Sequence, residues 1–275
     1  MYGNAVPSFL LAALLLLAGG AAPAAEALSA RQIIERAIDQ NRGLTSYARL
    51  TMRVVRPAWQ RSMTLETWTR GREDALIRFV APPRDAGNAT LKLGEKMWTF
   101  TPKLNRTIRL PFSLMSQSWV GSDFSYDDLS RTDNLLQHYT LTLLRSEPID
   151  GQLVHVIEAI PLGDAPVVWG KEEWRIRDDN VLVEQSFFDQ DLQPVKRMTV
   201  LEVKEMGGRK LGSRLRMFKV DTPEQYTELH WDEAAFDINL TDEFFSLFNL
   251  QHEVSGMTGR NSGPNSGPNS GRNHE

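Results

Sequence analysis

Residues 96–129 read KMWTFTPKLNRTIRLPFSLMSQSWVGSDFSYDDL. The front of this stretch alternates with a period of two. Trp98 and Phe100 fall on one face, and Met97, Thr99 and Thr101 on the other. Pro102 ends the run, because proline donates no N–H to a β-ladder. A second run, Thr107-Ile108-Arg109-Leu110, stops at Pro111. Two such runs separated by a short polar connection predict a hairpin with a longer loop. The back of the stretch, Gly121-Ser122-Asp123-Phe124-Ser125-Tyr126-Asp127-Asp128-Leu129, carries a helix-start signal. Ser125 with Asp128 three residues on has the form of a capping box, a carboxylate replacing the usual Glu or Gln. That predicts a short helix beginning at Tyr126. The stretch holds no set of acid, base and nucleophile. It offers apolar strand surface followed by a polar lip.

Working outward, the same habit recurs. Ala48 to Val54, Met63 to Thr67, Ala75 to Phe79 and Leu91 to Leu93 alternate, with Gly71, Pro82-Pro83 and Gly94 between them. Further runs lie at 139–146, 153–160, 171–177, 181–188, 195–203, 211–220 and 225–231. Asp150-Gly151 and Gly207-Gly208 have hairpin-turn chemistry, and Asp178-Asp179-Asn180 forms another polar turn. Short alternating runs at this spacing predict antiparallel sheet rather than βαβ units. Alternation also implies that one face is wet or faces a cavity, since doubly buried strands read as continuously apolar. One helix opens this region. Ser29 and Gln32 form its capping box, Ile33, Ile34, Ala37 and Ile38 its apolar stripe with Leu44 as a further position, and Gly43 its end. Thr241-Asp242-Glu243 starts a short terminal helix carrying Phe244, Phe245, Leu247 and Phe248. The expected class is mainly β (α+β): one domain of roughly eleven antiparallel strands with a few short helices.

The 275 residues are 41% hydrophobic and 24% charged, which is ordinary globular composition. A net charge of −4 argues against nucleic acid as a partner, since phosphate binding wants a basic face. The chain has no cysteine. That excludes disulfides, thiol nucleophiles, thiolate metal sites and an acylated N-terminal cysteine. Residues 1–27 read as a signal peptide. The apolar run Phe9 to Ala18 is too short to span a bilayer comfortably, and small residues at Ala22-x-Ala24 and Ala25-x-Ala27 offer cleavage sites. Its positive n-region is missing, so an uncleaved anchor is the competing reading. The domain then covers 28–250. Residues 251–275 form a Gly/Asn/Ser/Pro tail too polar to offset chain entropy by burial.

The chemical signatures are negative. Five histidines form no closely spaced pair, and His155 in mid-strand reads as a hydrogen-bonded, half-buried imidazole. There is no G-x-S-x-G elbow, P-loop or G-x-G-x-x-G. Asp123, Asp127 and Asp128 lack the spacing of a calcium loop, and capping and turn hydrogen bonds account for them. Glu172 and Glu173 read as solvated charges at a strand edge. No metal, cofactor or enzymatic activity is expected. Seven tryptophans are many for this length. Most should pack across strands. Yet an antiparallel sheet curved around one or two helices leaves a concave apolar face that can hold a ligand. The candidate lining is Leu65, Ile77, Phe79, Leu91, Leu93, Trp98, Phe100, Ile108 and Leu110. These are equally the residues of a plain core, and a one-residue shift at Trp98 and Phe100 would turn that set outward. Phe112, Leu114, Met115 and Trp119 form the candidate lid.

The pattern Trp98-x-Phe100-x-Pro102, then Arg106 and Arg109, then Gly121 to Leu129, resembles the outer-membrane lipoprotein-sorting family, which is similar to the periplasmic carrier LolA. The resemblance runs over roughly residues 28–250, and the nine-residue run from Gly121 is its most specific part. It implies an incomplete antiparallel β-barrel, plugged by helices, that holds lipid or lipoprotein acyl chains on the way to the outer membrane. It further implies an inner-membrane transporter, RND-type or ABC, and an outer-membrane acceptor as partners. The alternative it allows is a protein that docks on an RND-type exporter and carries nothing. A secreted hydrolase has no residue support. The chain departs from LolA in its length, its low-complexity tail and the Gly121–Leu129 run itself, so the cargo stays open.

Overall fold

The computed structural model describes residues 28–163 and 165–252. The signal peptide and almost all of the tail predicted above lie outside them. Helix α1 (Ala30–Arg42) comes first. Six strands follow: β1 (Thr45–Arg56), β2 (Trp59–Arg70), β3 (Asp74–Ala81), β4 (Ala89–Leu93), β5 (Lys96–Thr101) and β6 (Arg106–Arg109). A connection with a 3-10 turn at Phe112–Leu114 leads to helix α2 (Tyr126–His138). Then come β7 (Tyr139–Ile149), β8 (Gln152–Pro161), β9 (Lys171–Arg177), β10 (Leu182–Phe188), β11 (Pro194–Met206), β12 (Arg209–Lys219) and β13 (Tyr226–Phe236). A 3-10 turn at Asp242–Phe244 and helix α3 (Leu247–Gln251) end the described chain.

All thirteen strands belong to one antiparallel sheet, ordered β6-β5-β4-β3-β2-β1-β13-β12-β11-β10-β9-β8-β7. That is two more than the rough count from sequence, although every run named there corresponds to a strand. The sheet is two meanders joined where β13 returns to pair with β1, Ser46 lying opposite Phe236. The edge strands β6 and β7 do not pair with each other, so the barrel is incomplete. The chain from Leu110 to His138 connects these two edges.

The local chemistry follows the sequence closely. Ser29 and Gln32 form the capping box of α1, and Ala30, Ile33, Ile34, Ala37 and Ile38 are its buried stripe. Leu44 lies beyond the helix and is 79% exposed, so it is not part of that stripe. Ser125 and Asp128 cap α2 reciprocally, and the helix starts at Tyr126 as predicted and runs thirteen residues. The hairpin turns at Asp150-Gly151 and Gly207-Gly208 have both residues at positive φ, the geometry that matches strand twist.

Helix α1 packs with α2 inside the curve of the sheet. Ile33, Ile34, Ala37 and Ile38 meet Leu135 and Leu136 from α2, and Ile157, Trp174 and Ile176 from β8 and β9. A guanidinium N–H of Arg31 donates to the Leu136 carbonyl at 2.9 Å. A second inner cluster joins Leu50, Met52, Met63, Leu65 and Phe79 to Phe187, Met198 and Met217.

The convex face of β1–β5 is also buried. Tyr47, Trp68, Leu76, Leu91 and Phe100 pack beneath Phe244, Phe245 and Leu250 of the C-terminal segment. Ring centroids lie 5.6 Å apart for Tyr47–Trp68, 5.3 Å for Trp68–Phe244 and 5.4 Å for Phe244–Phe245. Each such aromatic pair adds about 0.5–1.5 kcal/mol beyond its buried area. The buried Arg78 guanidinium donates to the Asn249 carbonyl. A five-residue helix has no stability of its own. Packing, together with the hydrogen bonds from Arg78 to Asn249 and from Gln251 to Thr107, therefore holds α3 in place. Leu250→Ala should cost about 2–5 kcal/mol in a urea titration, because Leu250 is fully enclosed. A loss under 1 kcal/mol would show that the segment is not docked in solution.

Candidate functional site

Strand parity decides where the predicted lining residues go. The register runs Leu65 opposite Phe79, and Ile77 opposite Thr90. It continues with Thr90 opposite Thr99, and Thr99 opposite Ile108. These residues share the concave face, and Leu110, whose N–H bonds to the Met97 carbonyl, continues it. Leu76 lies opposite Leu91 and Leu91 opposite Trp98, while Ala89 lies opposite Phe100. That set shares the convex face. The nine residues therefore do not form one lining. Leu65, Ile77, Phe79, Ile108 and Leu110 are inside. Leu91, Leu93, Trp98 and Phe100 are outside, packed in the cluster beneath α3. Even the inner five are spread out. Leu65 and Phe79 are core, while Ile108 is 40% exposed at the β6 edge.

The candidate lid also divides. Phe112 is 55% exposed, and Leu114 and Met115 are half-buried. Trp119 is fully enclosed. Its ring centroid lies 5.3 Å from that of Phe79, and its Nε1–H donates to Thr90 Oγ1 at 3.3 Å. Trp119 is a peg driven into the concave face, not the tip of a flap.

The Gly121–Leu129 run fixes this peg. The Ser122 hydroxyl donates to the Trp119 carbonyl at 2.7 Å, and Phe124 is buried. Arg56, at the end of β1, holds both oxygens of Asp123, with N–O distances of 3.0 and 3.1 Å. The Thr227 hydroxyl donates to Asp123 Oδ2 at 2.7 Å, and the Asp123 N–H donates to Thr227 Oγ1 at 3.0 Å. Asp128 accepts the Ser125 N–H and hydroxyl at 2.7 and 2.8 Å. It also pairs with Lys196 of β11, both side chains being almost wholly buried. The Lys196 ammonium in turn sits 4.9 Å from the Trp169 ring and 4.7 Å from the Phe187 ring. Tyr126 is half-buried here, and burial pushes its phenol above the ordinary range. The turn and cap roles expected for these aspartates hold for Asp128. Asp123 does more, joining the connection to β1 and β13.

Three spaces surround these anchors. A hollow of about 220 Å³ lies between α1 and the sheet, lined by Ile38, Phe124, Trp174, Leu182, Phe187, Met198 and Met217 among others. A chamber of about 510 Å³ lies at the open seam, where Met97, Leu110, Phe112 and Met115 meet Lys92, Asp127 and Ser130. A polar vestibule of about 470 Å³ lies at the mouth, bounded by Arg56, Ser118, Asp123, Trp169, Lys196 and Lys219. Phe124 lines both the hollow and the vestibule.

Most of the hollow's lining escaped the sequence reading, because it comes from β9–β12 and α1. A usable signal was present in Lys196-x-Met198-x-Val200, a charge on the apolar parity of a strand. Glu172 departs from the strand-edge role expected of it. It is fully buried, not solvated, and its carboxylate accepts from Trp174 Nε1 at 3.1 Å and Gln185 Nε2 at 2.8 Å. His155 has the predicted role: it is half-buried, with Nδ1 2.8 Å from the Ser146 hydroxyl. Among the described residues no three metal-ligating side chains converge, and no helix is long and apolar enough to cross a membrane.

A family model whose description reads "Uncharacterized protein" matches residues 71–252. The chain belongs to that family. Solved structures place its fold. A DUF1329 family protein from Desulfovibrio piger superposes with a TM-score of 0.73 at 20% identity, covering 81% of this chain and 98% of that one. A domain described as an outer membrane lipoprotein-sorting protein, from Vibrio parahaemolyticus, gives 0.71 at 22% identity with the same coverage. A LolA superfamily protein from Nitrosomonas europaea gives 0.67 at 20% identity, covering 80% and 98%. The fold is thus LolA-like, as the sequence resemblance implied. No curated protein matches the chain.

In this LolA-like frame the Asp123–Arg56 contact is a testable anchor. Removing one partner of a buried ion pair leaves the other charge uncompensated. Asp123→Ala should lower stability by about 3 kcal/mol, and Arg56→Ala by a similar amount. The double variant should lose much less than their sum, since the two residues form one unit. Additive losses in a double-mutant cycle would mean that the pair does not hold the connection.

Proposed function

We propose that this protein is a carrier for lipid, or for the acyl chains of lipid-modified protein, in the periplasm. The reading rests on one observation. The concave face of a LolA-like sheet is incompletely filled, its hollow is lined mainly by apolar side chains, and methionines line both the hollow and the seam chamber. Met198 and Met217 line the hollow, and Met97 and Met115 line the seam chamber. Unbranched thioether side chains suit ligands of variable shape. No step of chemistry is needed. Each methylene moved from water into such a space contributes about 0.8 kcal/mol.

The hollow is smaller than the about 300–1,000 Å³ of ordinary ligand sites. The seam chamber is within that range. Cargo would enter through the chamber and widen the hollow by moving the Leu110–Gly121 connection away from α1. That movement sets a cost against burial, which is what permits release. Leu110, Phe112 and Met115 take cargo contacts in this reading. Leu91, Leu93, Trp98 and Phe100 do not, because α3 covers their face. An inner-membrane transporter and an outer-membrane acceptor are the partners such a carrier would need. Donation from the first and delivery to the second bound its path.

Purified protein incubated with vesicles containing a fluorescent phospholipid should withdraw lipid at a near-stoichiometric level. Met198→Trp fills the hollow and should cut that withdrawal about tenfold or more, with near-UV circular dichroism retained. If the wild-type protein withdraws no lipid and native mass spectrometry finds it empty, the carrier reading is wrong. Stable capture of a membrane exporter by that empty protein would then favour a docking role.

A further inference from the structure

At the mouth of the sheet's inner face stands an exposed lysine that makes no ion pair among the described residues. Lys196 and Lys219 lie directly opposite each other on β11 and β12. Two residues along, Met198 opposes Met217, and both are buried inside. The two lysines therefore project to the same, concave side. Like charges directly opposed across strands destabilise a sheet. Asp128 neutralises Lys196. Lys219 makes no ion pair among the described residues, although it lines the vestibule. Arg56 and Asp123, the other opposed charges there, neutralise each other. The remaining acid on the vestibule wall is Asp221, whose carboxylate accepts from the Thr222 hydroxyl at 3.2 Å.

The vestibule is also lined by Ser116, and by Ser118 and Ser125, whose hydroxyls donate to the Ser122 carbonyl and to Asp128, and it adjoins the apolar hollow across Phe124. A polar space of about 470 Å³ lined by the unpaired Lys219, with Asp221 also on its wall, thus opens beside a mainly apolar one of about 220 Å³. That is the shape of an amphiphile with an anionic head. We infer that the vestibule is a headgroup site for a phosphate-bearing lipid, with Lys219 as the cation that contacts the phosphate. The inference rests on the carrier reading and names the cargo class it favours. The Lys196–Asp128 pair and Phe124 form the partition that the lipid's first methylenes pass. An exposed cation contributes modestly, and its effect is screened by salt.

The test compares fluorescent phosphatidylglycerol with a fluorescent diacylglycerol of the same chains, measured at low and high salt. Wild-type protein should prefer phosphatidylglycerol about three- to fivefold at low salt. The preference should shrink at high salt. Lys219→Gln should bring the ratio of the two affinities to about one. Asp221→Asn, which removes the opposing carboxylate, should raise it. A preference that survives Lys219→Gln, or equal binding of both lipids by the wild type, overturns the headgroup assignment alone. Displacement of bound phosphatidylglycerol by equimolar inorganic phosphate would mark a simple anion site, and also overturns it. Failure to bind either lipid overturns the carrier reading first, and this assignment with it.

Discussion

The buried carboxylate of Asp123, held by Arg56 and Thr227, is the constraint on which the interior depends. The sheet has two unpaired edges, and the chain must travel from one to the other between β6 and β7. Left to itself, a connection of this length would lie over the surface. Here it is drawn inward. Asp123 binds β1 and β13, the two strands that join the meanders, and Asp128 binds Lys196 on β11. Between these anchors and β6, Trp119 is pressed onto Phe79 and Thr90. The plug of the barrel is thus a connection pinned by charge, together with α1, which is pinned by apolar packing.

The two kinds of attachment behave differently. Apolar contacts along α1 are non-directional and tolerate small shifts. The ion pairs are directional, and each loses its full compensation if one partner moves away. A carrier of the proposed kind, which would have to open without unfolding, gains from this division. The charged anchors line the vestibule at the mouth. The deeper contacts of Ile33, Ile34 and Ala37 against Ile157 and Ile176 need not break. Glu172 fits the same account. It is buried with its hydrogen bonds supplied by Trp174 and Gln185, so the strand that carries it has one specified register.

Strand identity was legible in the sequence because alternation, glycine turns and prolines all agree. Every named run became a strand, and both capping boxes stand where Ser29 and Ser125 place them. Which side of β4 and β5 faces inward was not legible. The reason is physical. Alternation distinguishes a buried face from a wet one, but β2 to β5 are buried on both faces. Leu65 and Phe79 pack inside, while Trp68, Leu76, Leu91 and Phe100 pack beneath α3. The residues that decide this, Phe244, Phe245 and Leu250, lie far along the chain. No local pattern in 96–110 can report their presence. Glu172 and Lys196 were missed or misread for a related reason. A charge on a strand reads as solvent-facing unless its partner, on another strand or helix, is known.

If the protein is the proposed carrier, burial energetics bear on how it releases cargo. Filling a void completely with one long acyl chain would amount to well over 10 kcal/mol, at about 0.8 kcal/mol per methylene. Binding that tight would not reverse on a useful timescale. A hollow of about 220 Å³ cannot accept a long chain as it stands. Accommodation requires that Trp119, Phe124 or the methionines give way, and each of these is buried against the sheet. Their exposure or repacking is charged against the cargo's burial. The net affinity is then a difference between two large apolar terms, and its size is set by how much protein surface the cargo replaces. A LolA-like interior that is nearly, but not entirely, filled by its own side chains is therefore better suited to transient loading than a larger empty one.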